Sequence, residues 1–506
     1  MSVQYSLLDE PWLTAVTQGG EKIDCGIRQL LQQAHTLRAL TDPSPMVEYG
    51  LYRLLIVLLM DALRPEEQYD LQELLAAGKF DAERLEAYYR RCEQEGCRFG
   101  LFDPERPFLQ TPYRDQWDKE EKPVCTLDFT IPSGNNHTHF DHRKNAEIAF
   151  TYAQAARILP AVQTFFRADG KGYKYGPNGS PPYYTVVQGA NLFETLVLSM
   201  IDMDIVRGEF DQPPVIWRNA IEVDPKREVA KVSWLYGMFF PARRVHLIPD
   251  VKTQSVKKVY YSAGMEYTAP ENWTDPHVTY IFSDKGRDTW KIQLPEKSKS
   301  DKERPQIRKP PIPVWRNLDK LLCGKHHGDL QILEQFAALK KNVPVVPLVI
   351  YGLLADRAKC IDAMRHELQI PTAAMRHPGA AELVKGCIAL SERLAKMLES
   401  ALTHKDIPPV VVSEAEQAYY DACEREMWQM CSRIPAEETE SLAPLLEEWV
   451  EAISCIARQR YEQAVERIAL RGASLVEVAH RRGLLMAEIH KIRKENGRCE
   501  NSKSKT

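Results

Sequence analysis

Apolar residues are spaced differently in the two halves of the chain. From about residue 376 they recur every three to four positions through four stretches, 380–403, 411–433, 440–470 and 474–494. That spacing lays one face of an α-helix against a core. The breaks fall at Pro408-Pro409, at Pro435 and at Arg471-Gly472-Ala473. Short links of this kind join antiparallel neighbours, so the pattern predicts a four-helix bundle. Before residue 370 no single period persists. Positions 46–63 are apolar on several faces, which predicts a buried helix, and 71–95 reads as amphipathic. Helices are also predicted over 27–37, 146–159, 191–207, 330–341 and 349–367. Strands are predicted at 234–248, 256–261 and 278–282, where aromatic and β-branched residues gather. The stretch 99–111 sets prolines among aromatics and reads as irregular but packed. Residues 112–143 are polar without a period and read as an extended loop. Residues 167–182 hold four glycines and three prolines and read as an exposed loop. Charge and proline alternate through 285–313, a solvated connection. The fold class expected is α+β: a large irregular mixed N-terminal domain over 1–370, a bundle over 376–495 and a disordered polar tail over 496–506.

Composition narrows the function. The 506 residues are 44% hydrophobic and 27% charged, enough for more than one core. The net charge of -4 argues against a free-standing nucleic-acid binder, which is usually basic. The charge is uneven, however. Residues 251–350 carry 17 Lys or Arg against 11 Asp or Glu, and the excess of +6 leaves -10 on the rest. A basic region on an acidic body suits nucleic acid bound as part of an assembly; solvated loops would give the same excess. The eleven cysteines are dispersed, and neither Cys92/Cys97 nor Cys423/Cys431 has a partner pair at zinc spacing. They read as reduced thiols of a cytoplasmic protein. No signal peptide is apparent, and the apolar run 51–59, broken by Arg53, is too short for a bilayer.

Candidate chemistry is sparse. His137, His139 and Asp141 alternate in His137-Thr138-His139-Phe140-Asp141-His142 and would face one side of an extended segment. They could ligate a metal in a metal-dependent enzyme, or donate hydrogen bonds from a polar loop. The chain has no G-x-x-x-x-G-K-S/T phosphate loop and no G-x-S-x-G elbow. The run from Arg167 to Gly179 is more informative. Its glycines let backbone approach a ligand closely, and its interleaved Lys and Tyr can meet phosphates, sugars and bases. A second cluster, Lys252, Lys257 and Lys258, precedes Tyr260-Tyr261. Its plainer reading is a charged strand edge that discourages aggregation.

Several separated motifs occur in the order seen in one family. Glu10-Pro11-Trp12-Leu13-Thr14-Ala15-Val16 comes first and Arg106-Pro107-Phe108-Leu109-Gln110-Thr111 second. Gly237-Met238-Phe239-Phe240-Pro241-Ala242-Arg243-Arg244 follows, then Val314-Trp315-Arg316 and a segment holding Gly352. Together they resemble the CasA family, the large subunits of the type I-E CRISPR Cascade complex. The resemblance implies a subunit without catalysis or cofactor. Its partners would be the other Cascade subunits, the CRISPR guide RNA, double-stranded target DNA and a helicase-nuclease, with no membrane. The family's glycine loop for the DNA minor groove resembles Gly170, Lys171 and Gly172, with Lys174 beside it. Lys171 interrupts the glycine run, which implies a different motif preference. The family's wedge, a glutamine near a helix start, corresponds to Arg357, beside Asp356. Lys257 or Lys258 takes the place of its lysine finger. The loop that meets the guide and a neighbouring subunit resembles 125–143, with Asn135, Asn136, His139 and Phe140 as contacts. This gives the histidines a role without metal.

Overall fold

The computed structural model describes residues 3–128, 130–131, 148–165, 172–206, 208–219, 222–284, 286–293, 312–322, 330–340, 342–356, 359–437, 439–468 and 473–496. Contacts divide the chain into two compact units. The first takes Met1–Pro311, Asp329–Asn342 and Pro347–Leu368, and the second Ile312–Gly328, Val343–Val346 and Gln369–Thr506.

The first unit is organised around helix Pro45–Leu63. All its residues except Pro45 and Ala62 are buried, as an apolar pattern on every face requires. Proline at the first position presets the backbone, and Arg64 closes the helix in the left-handed conformation at φ 46°. The helix carries three buried charges, and each finds partners inside. Glu48 accepts from Tyr351 Oη at 2.6 Å and from Arg365 Nε at 2.7 Å. Arg53 pairs with Asp275 at 2.7 Å, and Asp61 with Arg218 at 2.6 Å. Gly50 lets helix Tyr152–Thr164 come close: a Cβ there would lie 2.6 Å from the Ala161 nitrogen.

Three sheets hold most of the described strands. Lys22–Cys25, Leu13–Thr17 and Leu37–Leu40 form an antiparallel N-terminal sheet. Ser255–Ala263 pairs with Arg243–Asp250 on one side, and with Glu121–Pro123 and Phe150–Thr151 on the other. Val345–Asp356 lies between Lys359–Pro371 and Tyr184–Val187.

Several motif residues are fold elements. Trp12 is buried and donates Nε1–H to the Leu7 carbonyl at 2.8 Å. Gln110 donates to the Leu101 carbonyl at 2.7 Å and accepts from the Leu247 amide at 2.8 Å, tying the 99–111 segment to strand Arg243–Asp250. A Cβ at Gly237 would meet the Trp273 indole at 2.2 Å.

Four expectations need correction. The predicted helix 349–367 is two long strands, Val345–Asp356 and Lys359–Pro371, so Gly352 sits in a strand under the Tyr183 ring. The predicted strand 234–248 opens instead as helix Trp234–Met238, capped by the Ser233 hydroxyl, and turns at Pro241 before strand Arg243–Asp250. The long helix 191–207 stops at Leu198, where the Ser199 hydroxyl exchanges hydrogen bonds with the Val187 backbone. The 112–143 loop contributes strand Glu121–Pro123 and a short 3-10 turn, Val124–Leu127.

In the second unit the four predicted helices are Ala380–Leu402, Pro409–Ser432, Ala443–Glu466 and Ala473–Asn496. Their facing sides bury Leu394, Leu398, Tyr419, Met427, Ile453 and Ile489. The turn Val314–Leu321 packs on the first of them. Arg316 there bonds Glu392 at 2.8 Å and lies 4.1 Å from the Tyr420 ring centroid. Among the described residues no helix is long and apolar enough to cross a membrane.

Candidate nucleic-acid interface

The glycine-rich loop enters the described structure at Gly172, which has φ +94° and open space where a Cβ would stand. Only glycine holds that conformation without cost. The backbone here is bare, so a ligand could approach it without meeting a side chain. Tyr173 is fixed firmly. Its ring stacks on Tyr261 with centroids 5.9 Å apart and planes at 22°. The Arg243 guanidinium lies 4.8 Å from the same ring and Lys122 Nζ 5.8 Å. Lys122 also donates to the Tyr173 hydroxyl at 3.2 Å. Arg243 Nη1 donates to the Lys174 carbonyl at 2.7 Å, so the backbone after the ring is held too. Lys174 itself is exposed and pairs with Glu266 at 3.0 Å.

The far end of the loop is tied to the core. Asn178 Nδ2 donates to Asp275 Oδ2 at 2.8 Å, and Asn178 Oδ1 accepts from Tyr280 Oη at 3.2 Å. Burial alone would push the Asp275 carboxyl up. The Arg53 guanidinium outweighs that, and with His277 and Asn178 it holds the group well below the usual carboxylate range. The loop then becomes strand Tyr184–Val187, with Tyr184 opposite Tyr351 in antiparallel register. It therefore enters this sheet beside the end of Val345–Asp356 that leads to Asp356 and residue 357.

Lys257 and Lys258 lie on strand Ser255–Ala263, which has neighbours on both sides, so the free-edge reading fails. Both are exposed and both are paired, Lys257 with Asp250 at 3.5 Å and Lys258 with Glu121 at 2.6 Å. The hydrogen bond between Lys258 and Glu121 raises the lysine and lowers the carboxyl, which favours the charged pair. Each lysine would exchange a carboxylate for a phosphate on binding. On the same sheet His246 accepts burial as a neutral ring. Desolvation lowers it below the ordinary imidazole value of 6.5, against the Thr111 carbonyl and Asp118.

The structure thus brings Gly172, Lys174, Lys257 and Lys258 onto or beside one sheet. Asp356 ends its strand on the adjoining one. A helix start at Arg357 is contradicted, since the backbone is strand up to Asp356 and again from Lys359. Gly170, Lys171 and Arg357 lie outside the described residues, as do Asn135, Asn136, His137, His139, Phe140 and Asp141. Among the described residues no group of three or more His, Cys, Asp or Glu could hold a metal ion. The sequence reading missed Lys122, Asn178 and Arg243. Nothing marks Lys122 in a stretch as polar as 112–143, whereas the double arginine Arg243-Arg244 inside an apolar strand was a usable signal.

The model of the CRISPR-associated protein Cse1 family matches residues 6–459. The chain belongs to the Cse1 family, the CasA proteins of type I-E Cascade. CasA/Cse1 of Thermus thermophilus is 29% identical over 438 residues, covering 82% of this chain and 80% of that protein. The solved structure of Thermus thermophilus CasA aligns with TM-score 0.73 at 23% identity, over 97% of this chain and 99% of that one. Cse1 from Acidimicrobium ferrooxidans gives 0.75 at 19%, over 98% and 99%. A chain of a CRISPR RNA-guided surveillance complex gives 0.74 at 19%, over 96% and 99%. The Cse1 fold therefore extends over nearly the whole chain, and the α+β class with a helical C-terminal region stands.

Proposed function

We propose that this Cse1 protein is the large subunit of an RNA-guided Cascade in the cytoplasm. In this reading it recognises a short motif beside the target in double-stranded DNA, helps open the duplex and recruits the helicase-nuclease. The observation that carries the reading is the bare backbone at Gly172, held on the sheet that bears Lys257 and Lys258. The family and its surveillance-complex relatives supply the guide RNA and the other subunits as partners.

The mechanism is physical, with no covalent step of its own. Lysines draw in the duplex through phosphates, which makes binding salt-dependent and largely blind to sequence. The loop backbone then meets the minor groove, whose pattern is degenerate, so related motifs are tolerated. Residue 357, between the two long strands, stabilises the first unstacked step, which costs a few kcal/mol. Guide pairing carries the opening onward at near balance, without nucleotide hydrolysis. Asn135, Asn136, His139 and Phe140 meet the guide or a neighbouring subunit.

The test is binding and strand separation by the assembled complex. Lys171→Glu is expected to weaken motif-dependent duplex binding, and Arg357→Ala to slow opening more than assembly. Unchanged binding across a salt series removes the loop from the mechanism, and equal opening rates remove Arg357. Retained metal on purified protein would favour an enzyme built on His137, His139 and Asp141.

A further inference from the structure

Tyr173 adjoins the most permissive residue of the loop, yet it is among the most constrained. Arg243 and Lys122 both lie within cation–π reach of its ring, which stacks on Tyr261. Its hydroxyl accepts from Lys122. The carbonyl of the next residue is held by Arg243. Lys122 further lies 5.6 Å from the Tyr261 ring, and among the described residues its partners are these two tyrosines. Asn178 fixes the other end on Asp275. A loop tied only at its far end would have to be ordered by the DNA, and that ordering would be subtracted from binding. A loop tied at both ends presents its backbone already shaped.

We propose that Tyr173, clamped between Arg243 and Lys122, is a positioning and specificity-determining residue that preforms the loop for the duplex. The proposal rests on the motif-reading role of this loop. It differs from a phosphate contact in what it changes. Losing a phosphate contact weakens all duplexes alike and flattens the salt slope, whereas losing preorganisation weakens only the complex that needs the loop's shape.

The experiment uses the assembled complex and two duplexes, with and without the adjacent motif, titrated across a salt series. Tyr173→Ala is expected to lower affinity for the motif duplex by about tenfold, since several loop residues must then be ordered on binding. The motif-free duplex and the salt slope should not change. Tyr173→Phe keeps the ring and should retain most of the discrimination. Lys122→Met removes one cation and should lose discrimination in the same direction by less. It also serves if the alanine variant fails to assemble. Full discrimination in both Tyr173→Ala and Lys122→Met overturns the proposal. Equal loss on both duplexes also overturns it, because the cluster would then merely support the fold, and so does a Phe variant as poor as Ala. Lys171→Glu run in parallel separates the clamp from the reading role. If it too leaves motif binding intact, the loop does not read DNA; if it abolishes motif binding while the Tyr173 and Lys122 variants are silent, only the clamp fails.

Discussion

In the first unit three arginines are buried against carboxylates: Arg53 with Asp275, Arg244 with Asp118 and Arg218 with Asp61. In the helical second unit the cross-helix pairs lie on the surface, as in Arg467 with Glu414 and Arg482 with Glu462, and the interior is apolar. The difference follows from the connections. Helices satisfy their own backbone, so apolar side chains suffice to pack them. Long irregular segments leave carbonyls and amides to be matched, and a buried arginine with a fork of donors can gather several of them. Arg244 does this literally: it bonds Asp118 and the carbonyls of Pro112 and Val223 at once. Buried charge in the first unit is thus a way to fix loops, and surface charge in the second is decoration.

Breaking one pair in each unit sharpens the contrast. Asp275→Asn leaves Arg53 charged in the interior and should cost about 3–5 kcal/mol, read as a lower denaturant midpoint. A loss under about 1 kcal/mol would mean that Tyr49 and Tyr184 already stabilise the guanidinium. A smaller effect depends on pH. Because the folded protein holds His246 below 6.5, the unfolded chain takes up a proton first as pH falls. Its contribution is complete above 6.5 and is lost as pH falls through the depressed value. His246→Gln should therefore flatten the decline of the thermal midpoint below about pH 6.5, where an imidazole ordinarily titrates. An identical slope would assign the decline to other groups. The smallest effect is expected for Arg467→Ala, which removes an exposed pair and should shift stability by no more than about 1 kcal/mol. A larger loss would put the second unit under the same rule as the first.

Legibility follows the same divide. The bundle could be read because each helix repeats one period over more than twenty residues, and the four segments 380–403, 411–433, 440–470 and 474–494 all fall on observed helices. The strand Val345–Asp356 could not. It is buried through Val349–Leu354, so it shows a continuous apolar run instead of alternation. Ala363, Met364, Glu367 and Leu368 in the following strand are good helix formers, and propensity there loses to pairing. At the interface, the sequence suggested a glycine loop and two lysines, but not what holds them. Tyr173 meets Lys122, Arg243 and Tyr261 from positions 51, 70 and 88 residues away, and no local pattern encodes such a meeting.

The glycine at 237 carries a broader lesson. An indole fills the space its side chain would need, and Gly264 is pressed in the same way against the Pro241 carbonyl. The letters that reveal kinship are thus imprints of shape, written where two surfaces leave no room. The letters that would choose a DNA motif sit between two tethers, at Tyr173 and Asn178, away from those tight contacts. An engineer could exchange the stretch between the tethers and leave the scaffold's close fits untouched. Such a protein can be re-aimed without being rebuilt.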